Sequence, residues 1–196
     1  MMRRFLAAGL ILLCAPAGAG WTLDPERSSV TYLSSKMAAE SYAAIFEPNR
    51  FRRFSGGIGD DGEARVVIDL GSVDTGVEIR DERVKEHVFM VAKHPQAMVS
   101  LSLPRAARRG MAPGETALHR LTATLAMRGQ SHPLDAQVRV TGLGGGALLV
   151  ETVEPVLLDA KAYGMLDGFE TLKGLVGLFN IPTTIPVSLS AVFVKS

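Results

Sequence analysis

With 196 residues, 47% of them apolar, the chain has material for one domain around a sizeable core and not for several. Its 21 basic and 20 acidic residues leave a net charge of +1, which supplies no basic field for nucleic acid. A lone cysteine, Cys14, excludes a disulfide within the chain, and four histidines leave little material for a metal centre.

The chain opens as a secretory signal peptide. Met1 to Arg4 is a basic start, Phe5 to Ala15 is apolar, and Ala17-Gly18-Ala19 offers a small-residue cleavage site. The expected leader is residues 1–19 or 1–20, and 21–196 is the expected single domain. The apolar run has roughly half the length a transmembrane helix needs, and no later segment comes closer. Phe5 follows Arg3-Arg4 directly, where a twin-arginine signal places an intervening residue, and the bulky Leu13 precedes Cys14, where a lipoprotein signal needs a small one. General secretion, to the periplasm or beyond, is the expectation. Loss of the leader removes Arg3, Arg4 and Cys14, so the exported chain has no thiol and its basic residues fall one short of the 20 acidic ones.

Along the remaining chain, period-two alternation predicts strands with one apolar and one wet face. Ser29–Ser35 and a stretch within Tyr42–Gly56 alternate weakly. Ala64 to Leu70 is cleaner, with Ala64, Val66, Ile68 and Leu70 against Arg65 and Asp69. A charged helix follows from about Asp81 to Val91, with Val84, Val88 and Val91 on one face and Glu82, Arg83, Lys85 and Glu86 on the other. The next strand sets Ala97, Val99, Leu101 and Leu103 against Ser100 and Ser102. Arg105 to Glu115 reads as a surface loop. Leu121, Ala123, Leu125 and Met127 then oppose Arg120, Thr122, Thr124 and Arg128, and Leu134, Ala136, Val138 and Val140 oppose Asp135, Gln137, Arg139 and Thr141. Arg128-Gly129-Gln130-Ser131 is the turn between them.

Ala147–Leu158 is a weaker strand. A second helix is expected over about 168–179, with Asp167 as N-cap, Glu170 completing a capping box, and an apolar stripe of Phe169, Leu172, Val176 and Phe179. Gly168, Gly174 and Gly177 weaken it, which suggests a movable cover. Ile185, Val187, Leu189, Ala191 and Phe193 form the inward face of the last strand, against Ser188 and Ser190. About eight antiparallel strands with one clean apolar face each suit a closed barrel, which has no edges to protect.

The chemical inventory is thin. His87, His94, His119 and His132 make no i, i+4 pair and no metalloprotease motif, and read as surface or strand-end residues. No G-x-S-x-G elbow occurs, and Gly142 to Gly146 lacks the lysine and hydroxyl of a phosphate loop. The methionines are scattered as gap-fillers. No metal and no catalytic residue is assigned. What remains is the interior, where each clean strand points one small residue inward: Ala64, Ala97, Ala123, Ala136 and Ala191. An eight-stranded barrel either fills itself with side chains or holds one small ligand, and the alanines alone leave both open.

Several stretches together resemble the YceI-like family of periplasmic lipid-binding proteins. "SVDT" followed by "RDERVKEHVF" and "KHPQAMVSLSL" is similar to the family's signature, "WTLDPERSSVTY" to its opening, "FRRFSGGIGDDGEARVVIDL" to the strand pair ahead of the signature, and "LTATLAMRGQSHPLDAQVRV" to its central hairpin. The chain departs from the pattern in Lys36–Phe51, which lacks the usual glycine punctuation, and in the long insertion Ala160–Pro182. The resemblance implies an all-β, eight-stranded antiparallel lipocalin-like barrel with a helix at one end, an isoprenoid or other long-chain lipid such as a quinone inside, and no enzymatic activity.

On that reading the barrel lining is Val66, Ile68, Leu70, Val99, Leu101, Leu121, Ala123, Leu125, Ala136, Val138, Val187 and Leu189, with Phe169, Leu172 and Val176 on the covering helix. The charges Asp74, Glu78, Arg80, Asp81, Glu82 and Arg83 would form the solvated outside of a corner whose inside is Val84, Val88 and Phe89. A functional alternative has Arg80 or Arg83 meeting a lipid headgroup. The rival to a lipid carrier is a solid-core envelope module that partners a membrane cytochrome or another envelope protein. A lipid-modifying enzyme would need an ionisable residue in the interior, and the inward positions named above include none.

Overall fold

The computed structural model describes residues 19–38, 44–104 and 111–196, so nearly all of the expected leader and the first part of the Arg105 to Glu115 loop, 105–110, lie outside the described residues. Among them, twelve extended segments form one antiparallel sheet: β1 (Ala19–Ala38), β2 (Ala44–Phe51), β3 (Phe54–Gly59), β4 (Glu63–Asp69), β5 (Val73–Asp74), β6 (Gln96–Ser102), β7 (Thr116–Met127), β8 (Gln130–Gly142), β9 (Leu148–Thr152), β10 (Val156–Asp159), β11 (Leu178–Asn180) and β12 (Thr184–Lys195).

They make eight barrel strands because three strands are broken and the short β11 only adds to the end of β1. β2 and β3 both pair with β1, through Val30–Met37 and through Ala19–Thr22. β9 and β10 both pair with β12, and the break between them ends at Pro155, which has no N–H to give the ladder. β4 and β5 are separated by a tight turn over Leu70–Ser72. That turn and the β2/β3 bend form one corner: the buried Ser72 hydroxyl accepts from Arg53 N at 2.9 Å and donates to Asp69 O at 2.6 Å, and Arg52 N donates to Ser72 O at 3.1 Å. β12 pairs with β1 along Trp21–Asp24 and Ser29–Tyr32, which closes the ring. The fold class is the closed eight-stranded barrel expected.

The predicted strands fall on the observed ones, with longer hairpin arms in β7 and β8. Two end residues fall outside their strands: Leu103 lies one residue past β6, and Leu70 sits in the turn after β4, yet is only 1% exposed. One end of the barrel is packed by Leu23, Phe193, Val140 and Leu148, and the indole of Trp21 closes over it, donating to Gly146 O at 3.1 Å.

Both helices sit at the other end. α1 runs over Glu78–Arg83, and the chain continues as a wider i→i+5 turn through Val84–Phe89. It starts three residues before the predicted Asp81 because Asp81 does not open the helix; its carboxylate holds the preceding loop, accepting from Thr75 N at 2.8 Å and Thr75 Oγ1 at 2.6 Å. The wide turn brings the i, i+4 and i+5 residues Val84, Val88 and Phe89 to one face, with Val88 and Phe89 buried.

α2 spans Leu166–Val176, shorter and earlier than the expected 168–179. The capping box does not form. Met165 is the N-cap and offers no side-chain bond, while Glu170 takes Lys173 at 2.8 Å instead. The helix stops at Gly177, whose φ of 66° turns the chain left-handed, and the chain then adds to β1 as β11. Phe179 is therefore a strand residue and not part of the helical stripe.

The weakened-helix argument also changes. A Cβ at Gly168 would lie 2.3 Å from His87 O and 2.9 Å from Val88 Cα, so this glycine lets α2 pack directly on the turn below it. Only Gly174 is an interior glycine with open space around it.

Candidate ligand-binding cavity

The barrel is hollow. A cavity of about 680 Å³ runs through it, with walls that are almost entirely apolar. That volume lies within the range of small-molecule sites.

The structure places every residue named above as barrel lining or helix cover on this wall. β4 and its turn contribute Val66, Ile68 and Leu70; β6 contributes Val99 and Leu101; β7 and β8 contribute Leu121, Ala123, Leu125, Ala136 and Val138; β12 contributes Val187 and Leu189. Phe169, Leu172 and Val176 reach it from α2. Four of the five inward alanines face the hollow, Ala64, Ala97, Ala123 and Ala136. Ala191 does not. It is fully buried where β12 crosses the bulge of β1 between Asp24 and Ser29, so it packs the closed end instead of opening space.

Sequence reasoning missed an aromatic strip and a polar patch. Tyr32, Phe51 and Phe89 line the wall as a tilted stack, with ring centroids 5.6 Å and 5.7 Å apart. Tyr32 lay within a predicted strand, but the alternation there is weak because its outward partners, Thr31 and Leu33, are not uniformly polar. His119 also lines the cavity. Counting back by two from Leu121 along β7 reaches it, so the signal was present and the strand was started too late. His132, by contrast, stands on the roof, its Nε2 3.0 Å from Ala162 O and its ring edge-on to Tyr163 at 5.2 Å.

The expectation of an interior without ionisable groups is corrected at the helix end. There Lys36, Glu47, Arg80 and Arg83 line the cavity with Ser34, Asn49 and Thr75. Glu47 is the hub: Lys36 Nζ meets Oε1 at 2.9 Å and Arg80 Nη1 meets Oε2 at 2.5 Å. Burial alone would raise the Glu47 pKa, but the two cations outweigh it and hold the carboxyl below its ordinary value. Arg80 Nη2 also donates to Thr75 O at 2.6 Å. Asn49, 3% exposed, donates from Nδ2 to Ser34 Oγ at 2.9 Å and to Glu47 O at 2.8 Å. Burial, reinforced by the Asp81 carboxylate, pushes the Tyr32 phenol well above its usual range, so it stays a neutral donor.

The solvated-corner reading thus divides. Glu78 and Glu82 are exposed as expected, whereas Arg80 and Asp81 turn inward to Glu47 and Thr75. Asp74 binds Arg50 and Arg52, each at 2.7 Å. Arg83 lines the cavity and is held by no ion pair among the described residues.

The arrangement can seat a long apolar group with a polar end at the helices. Among the described residues, no nucleophile is brought together with a base and oxyanion donors on the wall. Among the described residues no helix is long and apolar enough to cross a membrane.

Comparison with known proteins agrees with this geometry. A polyisoprenoid-binding domain from Saccharophagus degradans, implicated in plant cell wall breakdown, superposes with a TM-score of 0.84 at 34% identity, covering 91% of this chain and 99% of that one. BcnA of Burkholderia cenocepacia has the same fold, with a TM-score of 0.64 at 18% identity over 87% of this chain and 98% of that one. A mutant YceI protein of Campylobacter jejuni gives 0.51 at 16% identity, over 76% and 84%. No curated protein matches the sequence. The model of the YceI-like domain matches residues 21–193, and the chain belongs to the YceI-like domain family.

Proposed function

We propose that this protein is an exported carrier that holds an isoprenoid or similar long-chain lipid, such as the tail of a quinone, inside its barrel. The observation that carries the reading is the hollow of about 680 Å³ with a mostly apolar wall and an ion-paired polar patch at its helix end. Burial of apolar carbon contributes ~0.8 kcal/mol per CH2, so each five-carbon unit would supply roughly 3 kcal/mol before ordering costs. Several units outweigh any single headgroup contact. The 34% identical polyisoprenoid-binding domain supports an isoprenoid as the occupant. The leader of residues 1–19 or 1–20 supports a periplasmic or secreted location.

Of the two headgroup candidates, Arg83 suits the role better. Arg80 already satisfies Glu47 and Thr75, whereas the Arg83 guanidinium faces the cavity without an ion pair among the described residues. A solid-core partner of a membrane cytochrome would need a filled interior, and the barrel is not filled. We read the protein as a binding protein and not as an enzyme.

Titration with prenols of increasing length tests the proposal. Affinity should rise with each isoprene unit until the cavity is full and then level off. Equal, weak affinity for all lengths would refute it.

A further inference from the structure

The surface around the cavity's opening carries a second message. At the helix end Val77, Ile79 and Val176 line the cavity and are also solvent-exposed, so the hollow meets the outside between α1 and the end of α2. Most of the large apolar side chains left exposed among the described residues gather round that opening. Ile45 and Phe46 stand on β2 opposite the cavity residues Lys36 and Ser35. Val77 and Ile79 flank the start of α1 beside Arg80, which reaches Glu47 on the same strand. Leu175 lies in the last turn of α2, and Phe179 lies on β11 against the end of β1. Phe46 is 63% exposed, Ile79 58% and Phe179 57%. A soluble chain does not normally group such residues on one end without a use for them.

We propose that this rim is a docking surface for a lipid bilayer, on which the protein sits with its opening against the acyl region. The inference rests on the carrier reading above. A lipid tail must enter the hollow without crossing water, and a rim of apolar side chains pressed into the interface gives it a dry path. A protein partner seated there would seal the opening that the ligand uses. The charges near the rim nearly cancel, Lys36, Arg80 and Arg83 against Glu47, Glu78 and Asp81. Docking is therefore driven by apolar contact, and it takes neutral as well as anionic membranes with little dependence on salt.

The test uses the purified protein, phosphatidylcholine vesicles and, separately, farnesol as a soluble prenol. Phe46→Ser combined with Leu175→Ser changes two rim residues that do not line the cavity; Leu118→Ser changes an exposed apolar residue on β7 away from the rim. The native protein is expected to co-sediment with vesicles at low and high salt. The double variant should lose about tenfold in vesicle partitioning, the scale of removing one or two exposed apolar anchors, with farnesol affinity unchanged, and Leu118→Ser should behave as native. Farnesol uptake without vesicle binding overturns the docking surface and leaves the carrier reading standing. An equal loss for Leu118→Ser, an unchanged double variant, or a dimer in solution that the double variant splits also overturns it. Vesicle binding without farnesol uptake supports the surface and overturns the carrier reading alone.

Discussion

Gly168 of α2 rests on the carbonyl of His87 so closely that a Cβ would stand 2.3 Å from the oxygen. The contact joins the two helical segments at the barrel's end into one roof. It divides α2 into a half that is fixed, around Met165, Gly168 and Phe169, and a half that is exposed, around Gly174, Leu175 and Val176.

Gly168→Ala should therefore destabilise the fold by about 1–3 kcal/mol, the range for forcing extra atoms into a packed contact. Gly174→Ala, with open space at its Cβ, should be stabilising by about 0.5–1 kcal/mol through helix propensity. Urea unfolding of the two variants checks the pair. Equal effects would mean that the roof is not packed as described.

If the exposed half of α2 is what moves when lipid enters, amide exchange should slow there on binding and change little around Gly168. Exchange measured with and without farnesol reads this directly. Uniform protection along the helix, or none, would remove the idea of a half-mobile cover.

Filling the hollow should separate stability from binding. Ala123 on β7 and Ala136 on β8 stand opposite Leu134 and Leu121 and both face the cavity. Ala123→Phe places a ring in empty space, so it should cost little stability while lowering prenol affinity by about tenfold or more, one lost isoprene contact or greater. Thermal unfolding and a prenol titration on the same variant are the measurements.

Glu47 gives the site a pH dependence of known sign. Its carboxyl is held below the ordinary 4.5 by Lys36 and Arg80, so the stabilisation it confers is complete above that value and is lost as the pH falls through the lower, folded one. Glu47→Gln should be less stable than the native protein at neutral pH, and the difference should shrink on acidification. A constant difference down to low pH would contradict the ion-paired hub.

The two arginines should part company. Arg80→Ala strips Glu47 and Thr75 of a partner and should destabilise the protein even without ligand. Arg83→Ala should leave stability unchanged and weaken only ligands with an anionic headgroup. Unfolding curves together with titrations of prenol and prenyl phosphate distinguish the roles.

The barrel was legible in the sequence because its clean strands obey a period of two without interruption, as in Ala64 to Leu70 and Leu121 to Met127. Its hollow was not, since an inward alanine marks either space or close packing; Ala123 marks the first and Ala191 the second. Which one applies depends on what stands across the barrel. The polar patch was hidden for a related reason. Glu47 and Arg80 lie 33 positions apart and each reads alone as a surface charge, and only the β2/β3 bend and the α1 corner bring them within 2.5 Å. The helix boundaries differ from those expected because carboxylates near the expected starts take other local partners, Asp81 bonding Thr75 six residues back and Glu170 pairing with Lys173 one turn on.

The central claim is that the hollow takes up a lipid tail. Organic extraction of the protein purified from the cells that make it, followed by mass spectrometry, tests it most directly. The account predicts a prenyl or other long-chain lipid in the extract, and less of it in the extract of the Ala123→Phe variant. A native protein that yields no lipid and takes up no added prenol would contradict it.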